Sequence, residues 1–399
     1  MSNPPATPPA DPDGPPAGPA ETPLAAAVRS ALGSVLDPEI RRPITELGMV
    51  KSVAVDSNGQ VSVAVFLTVS ACPMRDTITD RVTAAVTAVP GVAGVTVELD
   101  VMDDEQRQRL RELLQGPGQR DIVFNRPGST TRVIAVASGK GGVGKSSVTV
   151  NLAVALAARG RSVGLLDADI YGHSIPRLIG IDRMPTRVEG MILPPSAHGV
   201  QVISMLLFKP GGVPQAVAYR GPMTHSALKQ FLTDVYWGDL DYLLLDLPPG
   251  TGDMAMSVGQ LLPQSELLIV TTPQSAAAEV SVRAGMMAIH TKQRVLGVVE
   301  NMSNFGCPHC GEPIDIFGAG GGTLVAELLT RELKTNIPLL ARIPFDVGMR
   351  EGGDNGQPMV VAQPESAAAA GILGLADHIE GQGRGLAGMS LGLTPASRF

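Results

Sequence analysis

The chain has 399 residues and a formal net charge of −7, from 31 basic and 38 acidic side chains. This acidic balance argues against broad electrostatic binding of nucleic acid. No apolar run approaches the ~20 residues that cross a bilayer, and the N-terminus lacks the basic and apolar segments of a secretory signal. The 3 cysteines are too few for a disulfide framework and suit a reducing compartment. We therefore expect a cytoplasmic protein that binds neither nucleic acid nor membrane.

The N-terminal part of the sequence predicts a tail followed by a small domain. Residues 1–21 are dominated by Pro, Ala, Gly and Asp, and they cannot bury enough surface to offset the entropy of ordering. We predict that they form a disordered tail. Residues 22–103 show the periodicities of helix, strand, strand, helix and strand, which predicts a small α+β domain. Its predicted elements are a helix at 24–35, strands at 50–55 and 61–67, a helix at 75–89 and a strand at 92–99.

A helix and linker are predicted over 104–131, because Gly116-Pro117-Gly118 ends a charged, helix-compatible stretch. From 132 to 378 strands alternate with helices. This alternation predicts an α/β domain with a mostly parallel sheet covered by helices on both faces. The predicted strands are 133–137, 162–167, 200–205, 242–246, 266–272, 295–300 and 338–343, and the predicted helices include 148–158, 228–235, 280–290 and 324–333. We expect residues 379–399 to form a flexible tail.

A glycine-rich motif lies between the first strand and the first helix of the α/β domain. Successive glycines let backbone N–H groups surround phosphate oxygens, and the following helix adds its N-terminal dipole. The pattern Gly-x4-Gly-Lys-Ser is the P-loop template, in which Lys145 reaches the β- and γ-phosphates and Ser146 binds Mg²⁺. We therefore predict a site for a nucleoside triphosphate and Mg²⁺, formed by Gly139, Lys140, Gly141, Gly142, Val143, Gly144, Lys145, Ser146 and Ser147.

Acidic residues end two further predicted strands, where sites in parallel sheets are expected. Asp246 has the Walker B arrangement, in which the acid binds Mg²⁺ through a water. The next residues, Pro248-Pro249-Gly250, are stiff and then permissive, as suits a loop that senses a γ-phosphate. Asp167 and Asp169 end the other strand. From the residues alone, this pair either binds metal or orients an attacking water, or it caps a helix or lies in a solvated turn.

Cys307 and Cys310 stand in a predicted loop beyond a strand end. Thiolates at this spacing can chelate one metal or cluster, but one pair supplies only half of a four-coordinate site. Four interpretations remain: an iron–sulfur cluster bridged between two subunits, a zinc ion shared across a dimer, a thiol–disulfide oxidoreductase, or two chemically idle cysteines. The oxidoreductase is disfavoured because Gly311 and Pro313 follow where a helix should start. We favour the bridged cluster, which requires a symmetric dimer.

The glycine loop carries a second lysine, Lys140, and so resembles the deviant Walker A motif of the ParA/MinD/nitrogenase-iron-protein class. The resemblance implies that Lys140 reaches across a homodimer to the partner's nucleotide. It also implies that Asp169 orients the attacking water, with Asp167 in support of the metal. Gly250 would offer its N–H to the γ-phosphate, and Asn301 would contact the adenine base. The catalytic residues implied in this way are Lys140, Lys145 and Asp169.

Several motifs together resemble the Mrp/ApbC iron–sulfur cluster carrier ATPases over roughly residues 24–375. They are the glycine loop, Leu166 to Pro176, Asp246 to Asp253, Val299 to Ser303 and Cys307-x-x-Cys310. The resemblance implies a homodimer that binds ATP, Mg²⁺ and a labile 4Fe–4S cluster, with Cys307 and Cys310 as the cluster ligands. It further implies ATP hydrolysis coupled to cluster delivery, with scaffold proteins and apo client proteins as partners. The sequence departs from the family at His173, where proline is often found.

The small N-terminal domain resembles the metal–sulfur cluster biosynthesis domain that often precedes such ATPases. The residues that carry this resemblance are Leu36-Asp37-Pro38-Glu39, Leu47-Gly48-Met49-Val50 and Ala71-Cys72-Pro73-Met74. Cys72 has two interpretations: a thiol activated by a helix N-terminus, or a small buried apolar residue.

The main alternative is a ParA/MinD-like partitioning or positioning ATPase without a cluster. Such a protein would not need Cys307 and Cys310, and would favour a basic surface or terminal helix. The tail from Gly381 to Phe399 has few charges and lacks the basic amphipathic helix of a membrane-cycling relative. A metal-independent regulatory ATPase is a third possibility.

Overall fold

The computed structural model describes residues 22–70, 72–116, 121–169, 172, 174–208, 221–307 and 309–382. The chain divides into two compact units, Met1–Leu113 and Leu114–Phe399. Among the described residues, no helix is long and apolar enough to cross a membrane.

The first unit is built on a three-stranded sheet. Its elements are α1 (Pro23–Leu32), β1 (Val50–Val55), β2 (Gln60–Leu67), α2 (Arg75–Thr87), β3 (Gly94–Val101) and the start of α3 (Asp104–Gln115). The central strand β2 is antiparallel to β1 and parallel to β3. Helix α2 buries Ile78, Val82 and Val86, which are four residues apart and so share one face.

The predicted order of elements in this unit is the one observed, with shifted ends. Helix α1 ends at Leu32 rather than residue 35, because Gly33 is its C-cap and the chain turns there. Strand β3 starts at Gly94 rather than residue 92, since the Val92 N–H donates to the Val89 carbonyl in a turn.

The second unit is built on an eight-stranded sheet. The sheet strands are β4 (Arg132–Ser138), β5 (Val163–Asp167), β8 (Ser196–Ala197), β9 (Val200–Ser204), β10 (Tyr242–Asp246), β11 (Glu266–Thr271), β12 (Arg294–Asn301) and β15 (Leu339–Ile343). Their order across the sheet is β15-β12-β11-β4-β10-β5-β9-β8. Neighbouring strands are parallel except for β8, which is antiparallel to β9. Two small antiparallel pairs lie outside this sheet: β6 (Thr186–Val188) with β7 (Met191–Leu193), and β13 (Phe305–Gly306) with β14 (Pro313–Ile314).

Helices cover both faces of this sheet. They are α4 (Lys145–Ala158), α5 (Ile175–Ile179), α6 (Gly221–Thr233), α7 (Asp253–Leu261), α8 (Ser275–Thr291), α9 (Gly321–Leu333), α10 (Val347–Asp354), α11 (Met359–Ala362) and α12 (Ala367–Gly381). One core includes buried residues of α4 and α12, and the other includes residues of α6, α7, α8 and α9. Successive residues of β4 alternate between the two cores, which explains its uninterrupted apolar run. The predicted α/β architecture is confirmed.

The first residue of β4, Arg132, is hydrogen-bonded to the end of helix α12. Arg132 forms an ion pair with Glu266 at 2.5 Å and donates hydrogen bonds to the carbonyls of Ile379 and Gln382. The Arg132 side chain is only 8% exposed. One guanidinium therefore joins the start of two central strands to the last turn of α12.

The site lies at the other end of these strands from Arg132, where the carboxyl ends of β4, β10 and β5 are side by side. Asp246 is in register with Val136 of β4 and with Asp167 of β5. The glycine loop directly follows β4, so the loop and both acids meet at one edge.

Candidate nucleotide site and cysteine hairpin

The glycine loop needs its glycines for close approach and for backbone conformation. A side chain at Gly139 would place its Cβ 2.4 Å from the Ser281 backbone nitrogen of α8. Gly142 and Gly144 have φ values of 80° and 77°, in the left-handed region that favours glycine. Gly144 is also the N-cap of α4 and offers no side chain to the first helical N–H groups. The loop is thus a backbone cradle that opens onto a helix N-terminus.

Lys145 and Asp246 form a buried ion pair at the centre of the site. The Lys145 Nζ lies 2.7 Å from the Asp246 Oδ1, and the two side chains are 6% and 1% exposed. Asp246 also accepts hydrogen bonds from the Ser146 Oγ at 2.6 Å and the Thr149 Oγ1 at 2.9 Å. Three donors from the start of α4 therefore converge on the acid that ends β10.

These residues suit a nucleotide with Mg²⁺. Mg²⁺ prefers oxygen ligands, and the Ser146 hydroxyl and the Asp246 carboxylate present two within hydrogen-bonding distance of each other. The uncapped N–H groups of α4 and the Lys145 ammonium supply the positive potential that phosphate oxygens require.

Asp167 lies beside Asp246 and is also buried, at 1% exposure. Its Oδ2 accepts a hydrogen bond from the Ser204 Oγ at 3.0 Å, and its Oδ1 accepts from the Asp169 N–H at 3.2 Å. Burial raises the pKa of Asp167 well above its ordinary value, and the negative charge of Asp246 raises it further, while Ser204 and Lys145 oppose the shift. The ionised form of Asp167 is therefore electrostatically unfavourable at this position.

Asp169 forms a turn just beyond β5. Its Oδ1 accepts a hydrogen bond from the Gly172 N–H at 2.9 Å, and the side chain is half-buried. The predicted departure at His173 lies outside the described residues. A role for Asp169 in orienting water stays a prediction.

Gly250 and Lys140, two residues predicted to act on phosphate, have other partners in this structure. The Gly250 N–H donates to the Ser138 carbonyl at 2.8 Å, and its φ of 92° requires glycine. The Lys140 Nζ donates to the Gln274 Oε1 at 2.8 Å within the same chain. Each contact would have to open before the predicted phosphate contact could form. The net cost is about 1 kcal/mol for the neutral Gly250 amide and about 1.5–3 kcal/mol for the charged Lys140 ammonium.

Asn301 ends β12 and lies against the glycine loop. Its Nδ2 donates to the Val143 carbonyl at 2.9 Å, and the residue is 2% exposed. A Cβ at Gly144 would lie 2.2 Å from the same nitrogen. The structure thus places one donor of Asn301 on the loop backbone, and the predicted contact with adenine stays untested.

The cysteine pair occupies the turn of the hairpin β13–β14. The Cys307 N–H donates to the Glu312 carbonyl at 2.9 Å, and the Gly311 N–H donates to the Cys307 carbonyl at 2.8 Å. Cys307 is half-buried and Cys310 is exposed. The backbone N–H groups of Cys310 and His309 lower the pKa of the Cys307 thiol, which favours the thiolate that binds metal.

The hairpin offers only part of a metal site. Over the described residues, no group of three or more His, Cys, Asp and Glu side chains could hold a metal ion. Two thiols from this turn need further ligands from elsewhere. Cys72 belongs to the first unit, where it is 8% exposed and precedes α2.

Three residues of the site were not identified from the sequence: Thr149, Ser204 and Gln274. Thr149 lies one helical turn after Lys145, and this spacing is a usable signal. Ser204 ends a strand of the sheet, as the two acids do. Gln274 is 134 residues from Lys140, and its position could not have been inferred from spacing.

A buried strand, a glycine cradle on a helix N-terminus and a lysine–aspartate pair define a P-loop NTPase. The sequence pattern of the NUBPL iron-transfer P-loop NTPases matches residues 129–380, and that of an iron–sulfur cluster assembly protein family matches residues 25–99. The chain belongs to the NUBPL iron-transfer P-loop NTPase family.

Several bacterial relatives of this chain share one name. The iron–sulfur cluster carrier protein of Mycobacterium tuberculosis is 58% identical over 92% of this chain and 96% of its own length. The protein of that name from Bacillus subtilis is 40% identical over 79% of this chain and 86% of its own length. Among solved structures, a nucleotide-binding protein from Archaeoglobus fulgidus in complex with ADP is 39% identical. It covers 59% of this chain and 89% of its own, with a TM-score of 0.49.

Proposed function

We propose that this protein is an ATP-hydrolysing carrier of iron–sulfur clusters that holds a labile 4Fe–4S cluster between two subunits and transfers it to apo client proteins. The proposal is supported by membership of the NTPase family and by relatives named as cluster carriers. The observation that carries it is the hairpin, which presents one exposed and one half-buried thiol in the same unit as the glycine loop.

Phosphoryl transfer to water requires positioning and charge stabilisation more than covalent chemistry. Lys145 and the loop N–H groups would hold the phosphates of ATP, and Ser146 and Asp246 would hold Mg²⁺, Asp246 through a water. The metal would supply further charge neutralisation. Asp169 would orient the attacking water, and Lys140 would contact the nucleotide of a second copy of the chain.

The cluster is the cargo of the reaction. Two hairpins related by a two-fold axis would supply four thiolates, which is the ligand count of a 4Fe–4S cluster. A symmetric homodimer is therefore part of the proposal. Cluster scaffold proteins would load the cluster onto the homodimer. The protein would act in the cytoplasm, and neither nucleic acid nor membrane would be a partner.

We also keep the finer domain boundaries as a proposal. A cluster biosynthesis-like domain would span 22–103, a helix and linker 104–131, and the ATPase domain 132–378. The flanking tails would be residues 1–21 and 379–399.

The test is anaerobic reconstitution of the full-length protein with iron and sulfide, followed by metal and sulfide analysis and by its mass in solution. We expect a brown dimer with about four irons per two chains. Cys307→Ala and Cys310→Ala should each lose the colour and the iron. Cys72→Ala is the matched control and should keep both.

Full iron and sulfide in both hairpin variants would refute the cluster assignment. A stoichiometric zinc content with no bound sulfide would identify the hairpin as a zinc site instead.

A further inference from the structure

We propose that Asn301 is a positioning residue that ties the phosphate-binding loop to the cysteine hairpin, so that nucleotide at the loop changes the reactivity of Cys307 and Cys310. The inference rests on the proposed function for its purpose, because a carrier needs its nucleotide state to reach its cargo site. Its physical basis is a single short segment, residues 301–307, that contacts the loop at one end and carries a cysteine at the other.

The loop end of the segment is tightly held. The Asn301 Nδ2 donates to the Val143 carbonyl at 2.9 Å, and both residues are almost completely buried, at 2% and 1% exposure. The next loop residue, Gly144, lies so close that a Cβ there would be 2.2 Å from the same nitrogen. Because the packing leaves no free space, a displacement of the loop backbone at Val143 must also move the Asn301 amide.

The middle of the segment is hydrogen-bonded to the last residue of β15 and to the chain just after it. The Ser303 N–H donates to the Ile343 carbonyl at 3.0 Å, and the Phe345 N–H donates to the Asn304 carbonyl at 2.6 Å. Between Asn301 and Ser303, Met302 has a φ of 57°, which is uncommon for a residue with a side chain. The segment is thus held by hydrogen bonds on both sides of Met302, whose backbone conformation is itself constrained.

The hairpin end is held by aromatic packing. The ring of Phe305 lies 5.9 Å from that of Phe345, which in turn lies 6.0 Å from that of Phe317. Phe305 opens β13, and Cys307 follows two residues later. A shift at Asn301 is therefore passed through hydrogen-bonded backbone and packed rings rather than absorbed by a free linker.

Another side-chain hydrogen bond of the segment, made by Ser303, provides a control. The Ser303 Oγ donates to the Glu300 Oε1 at 3.0 Å, in a buried position two residues from Asn301. Removal of that hydroxyl perturbs the same segment without a direct contact to the glycine loop. Ser303→Ala is therefore the matched variant for Asn301→Ala.

The test measures thiol reactivity in the reduced full-length protein without a cluster, in a Cys72→Ala background so that only the hairpin thiols report. The rate of reaction with a chromogenic aromatic disulfide is recorded with and without saturating ATP and Mg²⁺. We expect nucleotide to change this rate about 5-fold, within the range of typical coupling between sites. In Asn301→Ala the change should disappear at nucleotide concentrations that saturate that variant, whereas Ser303→Ala should keep it.

Nucleotide affinity separates this role from recognition of the base. If Asn301 positions the loop, Asn301→Ala should weaken ATP and GTP by the same factor. A selective loss of ATP would assign Asn301 to adenine and overturn the inference. Retention of the full nucleotide effect in Asn301→Ala would also overturn it, and would indicate that dimerisation alone controls the thiols.

A second variant keeps the inference testable if Asn301→Ala does not fold. Phe345→Leu weakens the hairpin end without a contact to the loop, and should reduce the nucleotide effect while ATP affinity is unchanged. An unchanged nucleotide effect in Phe345→Leu would contradict transmission through the segment. Because these assays use protein without a cluster, failed reconstitution would refute the cargo and leave the coupling result intact.

Discussion

The glycine loop and the cysteine hairpin lie in the same unit, but they differ in how completely their chemistry is satisfied. At the loop, Lys145, Asp246 and Asp167 are buried and each has partners within the chain. At the hairpin, Cys310 is exposed, and the described residues offer the two thiols no third ligand. The buried charges of the nucleotide site thus have their partners within a single chain, whereas a metal site at the hairpin needs further ligands.

This difference predicts that the two sites respond to mutation in different ways. A change at the buried site should affect both ligand binding and folding stability, because a removed partner leaves a charge uncompensated. A change at the hairpin should affect metal binding and leave stability almost unaltered, because exposed side chains contribute little to the core. Three substitutions, with their control variants, test the nucleotide-site half of this comparison, from the largest expected effect to the smallest.

Lys145→Ala should have the largest effect. We expect nucleotide affinity to fall about 100-fold or more, because a charge-assisted contact is worth up to about 3 kcal/mol. The variant should also unfold more easily, by about 3–5 kcal/mol, since it leaves Asp246 buried without its cation. Calorimetric titration and chemical denaturation measure the two effects.

The double variant Lys145→Ala/Asp246→Asn separates them. It should recover much of the stability, because the unpaired charge is gone, but none of the nucleotide affinity. A Lys145→Ala protein as stable as the wild type would show that the buried ion pair does not stabilise the fold.

Lys140→Ala tests whether the loop is complete within one chain. Because Lys140 is bound to Gln274 and is predicted to act on a partner's nucleotide, we expect ATP affinity to change by about 3-fold or less. Steady-state ATP hydrolysis should fall about 100-fold, as for loss of a preorganised charge. Gln274→Ala, which removes only the intrachain contact, is the control and should hydrolyse ATP at close to the wild-type rate. Equal losses of affinity in Lys140→Ala and Lys145→Ala would argue against a role across the dimer.

Asp167→Asn should have the smallest effect and the opposite sign. Because the folded-state pKa of Asp167 is raised, its ionisation opposes folding once the pH exceeds the unfolded-state pKa. The variant should match the wild type below about pH 4 and become progressively more stable than the wild type as the pH rises towards neutrality. Thermal unfolding of nucleotide-free protein across this pH range measures the difference. A loss of stability at neutral pH would mean that the Ser204 hydrogen bond outweighs the cost of burial.

The sequence predicted most of the sheet because its strands are apolar runs between turn residues. Inside and outside this sheet, it missed the short strands β6, β7, β8, β13 and β14, which are two or three residues long and too short to show a period of two. It placed the start of α9 at residue 324 rather than Gly321, because Gly321 and Gly322 carry no helix signal. Gly321 instead packs closely on the backbone of Thr272 and Pro273, and Gly322 packs on the side chains of Glu300 and Leu339.

At the site, the sequence located the loop, the acids and the cysteines, since each is a local pattern. The partners of these residues could not be found in this way. Asn301 and Val143 are 158 residues apart, and their contact exists only because β12 ends beside the loop. Likewise, the lowered pKa of Cys307 depends on the backbone N–H groups of a tight turn, which the spacing of two cysteines does not specify.

The guanidinium of Arg132 sets a practical limit on how short a working ATPase fragment can be. It donates hydrogen bonds to the carbonyls of Ile379 and Gln382, so the last turn of α12 stabilises the start of β4. A chain ended at residue 378 would expose the underside of the strand that carries the glycine loop. Expression of the ATPase unit alone should therefore extend at least to Gln382.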